Sequence, residues 1–199
     1  HLPLIKKVAS TGKPLLISTG MANIAELDET VCMIREMGCK HLALLKCTST
    51  YPAAPENSNV LTIPHMRELF KCEVGLSDHT LGVGVAVAAV AHGASVIEKH
   101  FTLSRADGGV DSDFSLEPKE MESLVIETER AWQSLGGVFY GPTEDEKSSK
   151  RYRRSLYISK DMKKGEILTK NNLRIVRPGL GLAPKYFDII MGKKVKKDV

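Results

Sequence analysis

The chain has 199 residues, 42% of them hydrophobic and 26% charged, with a formal net charge of +4 at pH 7. That balance describes a globular chain with a real core, sized for one large or two modest domains. It argues against membrane and nucleic-acid partners: the longest apolar run, Val83 to Ala91, is too short to span a bilayer, no basic-then-apolar leader opens the sequence, and the lysines gather at Lys193, Lys194, Lys196 and Lys197 rather than along an aromatic-interleaved stripe.

In chain order, short apolar runs alternate with helical patterns. Pro14 to Ile17 is followed by Ile24 to Met37, whose Ile24, Leu27, Val31, Ile34 and Met37 recur at helical spacing before Gly38. His41 to Cys47 is followed by a turn-rich loop and a helix near Ile63 to Phe70. Glu73 to Leu76 precedes the small-residue helix Gly82 to Ala91, stopped by Gly93. Ala94 to Ile97 leads through a polar loop to Pro118 to Leu135. Four such βα units make an α/β fold, either half of an eightfold barrel or an open doubly wound sheet. Residues 1–135 form this part, and 136–150, rich in glycine and charge, form a linker. Beyond it, residues 151–199 show strand-like alternation in Arg154 to Ser159 and again in Leu173 to Arg177, the mark of a small β-rich domain. Cys32, Cys39, Cys47 and Cys72 lack CxxC spacing, so neither a disulfide framework nor a zinc site follows.

Each apolar run ends in polar residues: Ser18 and Thr19; Lys46, Thr48 and Ser49; Ser77, Asp78 and His79; Glu98, Lys99 and His100. Parallel strands gather these clusters at one mouth, which favours the barrel, where enzymes assemble their chemistry at the C-terminal strand ends. His79 and His100 follow consecutive strands at equivalent positions, so they could share one divalent metal, leaving positions open for water and a substrate oxygen. The spacing leaves open a second reading, in which each imidazole only hydrogen-bonds within the mouth. Ser18 and Ser77 offer hydroxyls beside turns, and Gly82 and Gly84 open a helix whose N–H groups could receive a phosphate. Asp111 and Asp113 sit in a glycine-rich loop suited to sugar hydroxyls or to plain turns, and Tyr51 could cap a substrate face. Glu98 and Lys99 are adjacent on a strand and must point to opposite sides.

Four motifs, Lys46-Cys-Thr-Ser-Thr-Tyr-Pro, Gly75-Leu-Ser-Asp-His-Thr-Leu-Gly, Ile97-Glu-Lys-His-Phe-Thr-Leu and Arg177-Pro-Gly-Leu-Gly, together resemble the sialic acid synthase family in order and spacing, over nearly the whole chain. The resemblance implies the C-terminal half of a (β/α)8 TIM barrel followed by an antifreeze-like SAF domain, both in a fragment expected to be inactive alone. It implies a divalent metal, commonly manganese with magnesium or cobalt as alternatives, on His79 and His100. It also implies phosphoenolpyruvate contacts from Ser18 and Ser77, and sugar contacts from Ser49, Tyr51 and Asp111. Arg177 matches an arginine delivered into the partner's barrel of a domain-swapped homodimer. Glu98, or a carboxylate outside this chain, is the candidate for proton handling. The loop from Ser104 to Pro118 looks closest to the pseudaminic acid branch, with the N-acetylneuraminate and legionaminate branches as alternatives. The expected reaction is metal-dependent, cytoplasmic condensation of phosphoenolpyruvate with an N-acylated amino sugar, with phosphate released. Two rivals remain at this level: a noncatalytic carbohydrate-binding module, and a sugar-phosphate synthase that would need extra basic residues beyond Lys46, Lys99 and Arg105.

Overall fold

The computed structural model describes residues 1–199, which divide into two compact units, 1–137 and 138–199. In the first unit α1 (Leu2–Ala9), β1 (Leu15–Ser18), α2 (Ile24–Glu36), β2 (Leu42–Cys47), α3 (Thr62–Phe70), β3 (Glu73–Asp78), α4 (Gly84–Ala91), β4 (Ile97–Lys99) and α5 (Pro118–Leu135) follow one another. The strands form one parallel sheet in the order β1-β2-β3-β4. A doubly wound sheet reverses its strand order at a switch point, whereas a barrel adds strands sequentially. The sequential order therefore decides for half of a (β/α)8 barrel.

Local chemistry explains the elements. α2 starts where Asn23 accepts hydrogen bonds from the Ala25 and Glu26 amides while the Glu26 side chain reaches back to the Asn23 amide, a reciprocal cap. It buries Thr30, Val31 and Ile34. The main core joins Val31 to Leu44, Ile63, Met66, Phe70, Val74, Leu76 and Ala89. α4 packs on the sheet through fully buried Ala86 and Ala89, small residues that let a helix lie close.

The structure adds one element and moves another. Helix α1 precedes the first predicted strand, and its Ile5 and Ala9 pack with Leu15 and Ile34. The fourth strand runs Ile97–Lys99 rather than Ala94 to Ile97. Its ladder continues into charged residues because Glu98 stands beside Ser77 and Lys99 beside Asp78, which give both side chains partners.

Gly75 in β3 marks a close approach, because a Cβ there would run into the Val96 carbonyl oxygen and lie 2.7 Å from Leu45 Cδ2. Gly75→Ala is expected to destabilise the first unit by about 3 kcal/mol through overpacking, read as a shifted urea midpoint.

In the second unit β5 (Ser155–Ile158) pairs antiparallel with β6 (Leu173–Val176), and a short helix α6 (Phe187–Ile190) follows. Leu156, Met162 and Leu173 are its buried apolar residues. The segment after Arg177 lies against β5: Ser155 Oγ accepts from the Gly181 amide and donates to the Gly181 carbonyl, both at 3.1 Å. A Cβ on Gly179 would come within 2.9 Å of Arg153 Cβ and of the Lys150 carbonyl, so glycine is what lets this strap sit flat.

Candidate active site

Alternation along paired strands sorts the polar residues into two faces. Ser77, His79, Glu98 and His100 share one face at the C-terminal ends of β3 and β4, and Asp78 and Lys99 share the other. The His79 and His100 rings lie 5.2 Å apart between centroids, inclined at 63°. His79 is buried, and its Nδ1 lies 3.0 Å from the Thr48 carbonyl oxygen. A carbonyl only accepts, so Nδ1 is the nitrogen that carries a proton, and Nε2 is the one that faces a metal through its lone pair when the imidazole is neutral. With metal–nitrogen bonds of about 2.0–2.2 Å, two rings at this separation are close enough to grip one cation. His100 Nδ1 faces Asp111 Oδ2 at 3.6 Å, too far for a hydrogen bond. The residues present therefore fit a divalent cation held by two imidazoles, without a cluster of three or more His, Cys, Asp or Glu side chains around it.

Glu98 completes a second group. Its Oε1 accepts from Ser77 Oγ at 2.6 Å and from Ser18 Oγ at 3.4 Å. The two serines expected at phosphoenolpyruvate thus also hold the carboxylate that stands next to the histidine pair on the same face. Tyr51 lies 4.4 Å from His79 and 5.9 Å from His100 by ring centroids. Ser49 is exposed, with its hydroxyl 3.8 Å from the Cys47 thiol. Arg177 belongs to the second unit.

Sequence reasoning missed the Thr48 carbonyl and Phe114. The Phe114 ring packs on His100 at 4.9 Å and on Tyr51 at 5.8 Å. The signal for it was a lone buried aromatic in an otherwise polar loop. The signal for Thr48 was its place as the first residue past β2.

The loop carrying Asp111 is fastened to α5. Arg105 forks onto the Glu120 carboxylate at 2.6 and 3.0 Å and donates to the Ser115 carbonyl at 2.8 Å. The guanidinium's hydrogen bond, followed by that of the Glu117 amide, holds the Glu120 carboxyl down from 4.5 to about 2. A depressed carboxylate contributes fully above its ordinary value and loses that contribution as pH falls from there through the folded value. The pair is solvent-exposed and adds little to global stability, so the expected effect is local. NMR titration should place the Glu120 carboxyl near about 2, and Arg105→Met should return it towards 4.5 while amide exchange in residues 105–117 quickens.

The basic residues nearest the mouth are already engaged. Lys46 donates to the Cys47 carbonyl at 2.8 Å and to Thr48 Oγ1 at 3.3 Å, and burial pushes its amine down. Lys99 is bound to Asp78 on the far face, and Arg105 is taken up by Glu120. A cavity of about 1080 Å³ is lined by Leu15, His41, Glu73 and Ser95 at the opposite strand ends and contains none of these site residues.

Comparison with known proteins now bears on this geometry. Residues 1–140 match the NeuB family and residues 153–199 match the SAF domain. The chain belongs to the NeuB family. This NeuB-family chain is 42% identical over 195 residues to a pseudaminic acid synthase of Campylobacter jejuni, covering 98% of this chain and 57% of that protein. It is 38% identical over 201 residues to an N,N'-diacetyllegionaminic acid synthase of the same species, covering 100% and 60%. The crystal structure of an N-acetylneuraminic acid synthetase from Leptospira borgpetersenii, solved with citrate, superposes with a TM-score of 0.68 at 34% identity, covering 76% of this chain and 53% of that one. The chain thus spans somewhat over half the length of these NeuB-family relatives. Its half-barrel and SAF domain are those of sialic acid synthase-type proteins. No helix is long and apolar enough to cross a membrane.

Proposed function

We propose that the protein carrying this chain condenses phosphoenolpyruvate with a 2,4-diacetamido-2,4,6-trideoxyhexose, in the manner of a pseudaminic acid synthase, to give a nine-carbon 2-keto acid and phosphate. The observation that carries the proposal is the shared face: two imidazoles near enough to hold one cation, with a hydroxyl-fixed carboxylate beside them. A divalent metal on His79 and His100, with manganese the first choice, would supply Lewis acidity at the sugar aldehyde oxygen.

The chain's own residues do the rest. The Thr48 carbonyl fixes the His79 tautomer, and Tyr51 and Phe114 pack on the imidazoles to wall the site. The enol carbon of phosphoenolpyruvate attacks the aldehyde carbon of the open-chain sugar: the C–C bond forms from the enol π pair, the aldehyde π pair passes to its oxygen, and the phosphate-bearing carbon is left electron-poor. Water then adds at that carbon, Glu98 takes its proton and passes it to the alkoxide, and phosphate leaves with the C–O bonding pair, accepting the remaining hydroxyl proton as the ketone forms. The Ser77 hydroxyl keeps the carboxylate aimed. A pure binding module has no use for this carboxylate beside a metal-ready pair. A sugar-phosphate synthase needs free cations for a second phosphate, and Lys46, Lys99 and Arg105 are all engaged.

The legionaminate reading stands second, supported by the 38% identity over the whole chain. A phosphate-release assay on the complete protein, with phosphoenolpyruvate and a panel of hexosamines, separates the two. The trideoxyhexose of the pseudaminic series should give the highest kcat/KM, and a faster reaction with the legionaminate precursor or with N-acetylmannosamine would reassign the substrate.

The proposal includes a homodimer in which Arg177 of one chain serves the barrel of the other. Arg177→Ala and His79→Ala proteins, each inactive, are expected to recover about a quarter of parental activity when mixed and allowed to exchange subunits, since half the dimers then contain one intact site. Phosphate release by the mixture is the measurement.

A further inference from the structure

The face of β3 and β4 turned away from the histidines carries a buried clasp. Lys99 Nζ donates to Asp78 Oδ2 at 2.7 Å and to the Thr80 carbonyl at 2.5 Å. Asp78 Oδ1 accepts from the Thr80 amide at 2.9 Å and from Thr80 Oγ1 at 2.8 Å. The Lys99 and Asp78 side chains are 2% and 1% exposed, and Thr80 is 1% exposed.

We propose that Asp78, Lys99 and Thr80 are positioning residues that set the separation and facing of the His79 and His100 rings. Their place in the chain carries the inference. His79 lies between Asp78 and Thr80, and His100 follows Lys99 directly. The last paired residues of the β3–β4 ladder are Asp78 and Lys99 themselves, so both imidazoles stand one residue past the point where β3 and β4 stop pairing with each other. The Lys99 bond to the Thr80 carbonyl extends the tie between the strands by that one further residue. A buried ion pair of this kind is a weak source of stability, because the desolvation of both charges offsets their attraction. Its value here is geometric: four hydrogen bonds fix the backbone on both sides of His79 and immediately before His100.

This inference rests on the metal reading given above, and its test distinguishes the two. In the complete protein, Asp78→Asn combined with Lys99→Met removes both charges and leaves no lone buried ion. Thr80→Val keeps the charges and removes one hydroxyl donor to Asp78, which serves if the double variant does not fold. Free and bound Mn²⁺ are counted by electron paramagnetic resonance, with thermal unfolding recorded in parallel. The double variant is expected to bind Mn²⁺ about tenfold more weakly or worse, with a changed bound-ion spectrum and a Tm close to the parent's. Thr80→Val should weaken binding by about threefold. If the parent binds Mn²⁺ and the folded variants bind it equally well with an unchanged spectrum, the clasp is merely structural and the positioning role is wrong. If the parent itself binds no Mn²⁺, the metal reading falls and this inference falls with it.

Discussion

His79→Ala in the complete protein is expected to lower phosphate release by about a thousandfold or more while leaving a folded protein. Stabilising a developing alkoxide by a cation contributes several kcal/mol to a barrier, and every 1.4 kcal/mol is about tenfold in rate. The cost to folding is of another order. The alanine loses one hydrogen bond to the Thr48 carbonyl, worth about 1 kcal/mol, and leaves a small gap against Tyr51. Steady-state assays over a range of Mn²⁺ concentrations check this, together with a urea melt. Activity that stays near parental at all metal concentrations would remove His79 from the chemistry. His100→Ala should behave alike in kinetics and lose less stability, because the His100 side chain is 30% exposed and contributes less to packing.

Glu98→Gln is the second large effect, and it isolates proton transfer. The amide oxygen of glutamine still accepts the Ser77 hydroxyl, so the side chain is expected to stay where the carboxylate was. It no longer takes a proton from water. A positioned base contributes typically about 10²–10⁴ in rate, so kcat should fall in that range, while KM for phosphoenolpyruvate and the affinity for Mn²⁺ change by no more than about threefold. Rapid-quench kinetics of the variant, compared with the parent, separate the step. A kcat within about twofold of parental would reassign proton handling to a carboxylate outside these residues.

Much of the fold was legible because strand and helix periods differ and the polar residues fell at one end of every apolar run. Val31 and Ile34 announced the buried face of α2, and Gly38 its end. The choice between a barrel and an open sheet was legible only through those strand-end clusters, and the strand order confirmed the barrel. Helix α1 was missed because eight residues with one buried position give too short a periodic signal. The last strand was placed too early because apolarity marked its lead-in at Ala94 to Val96, whereas the ladder itself continued to Lys99.

The candidate site was legible in outline. His79, His100, Ser18, Ser77 and Glu98 were named from their strand-end positions, and the structure places them in two adjoining groups. What the sequence did not reveal were contacts that depend on register. Asp78 and Lys99 read as two ordinary charges beside motif histidines, and only the pairing of β3 with β4 sets them opposite each other. The Thr48 carbonyl carries no side-chain signature at all. The partners of Lys46, Lys99 and Arg105 were equally invisible, although the sequence already showed few cations near the mouth.

Anomalous scattering from crystals of the complete protein grown with Mn²⁺ tests the account at its centre. A single strong peak within about 2.2 Å of Nε2 of both His79 and His100 is the result expected from this ring geometry. A manganese bound elsewhere, with either imidazole turned away from it, would contradict the shared-cation site from which the proposed chemistry is built.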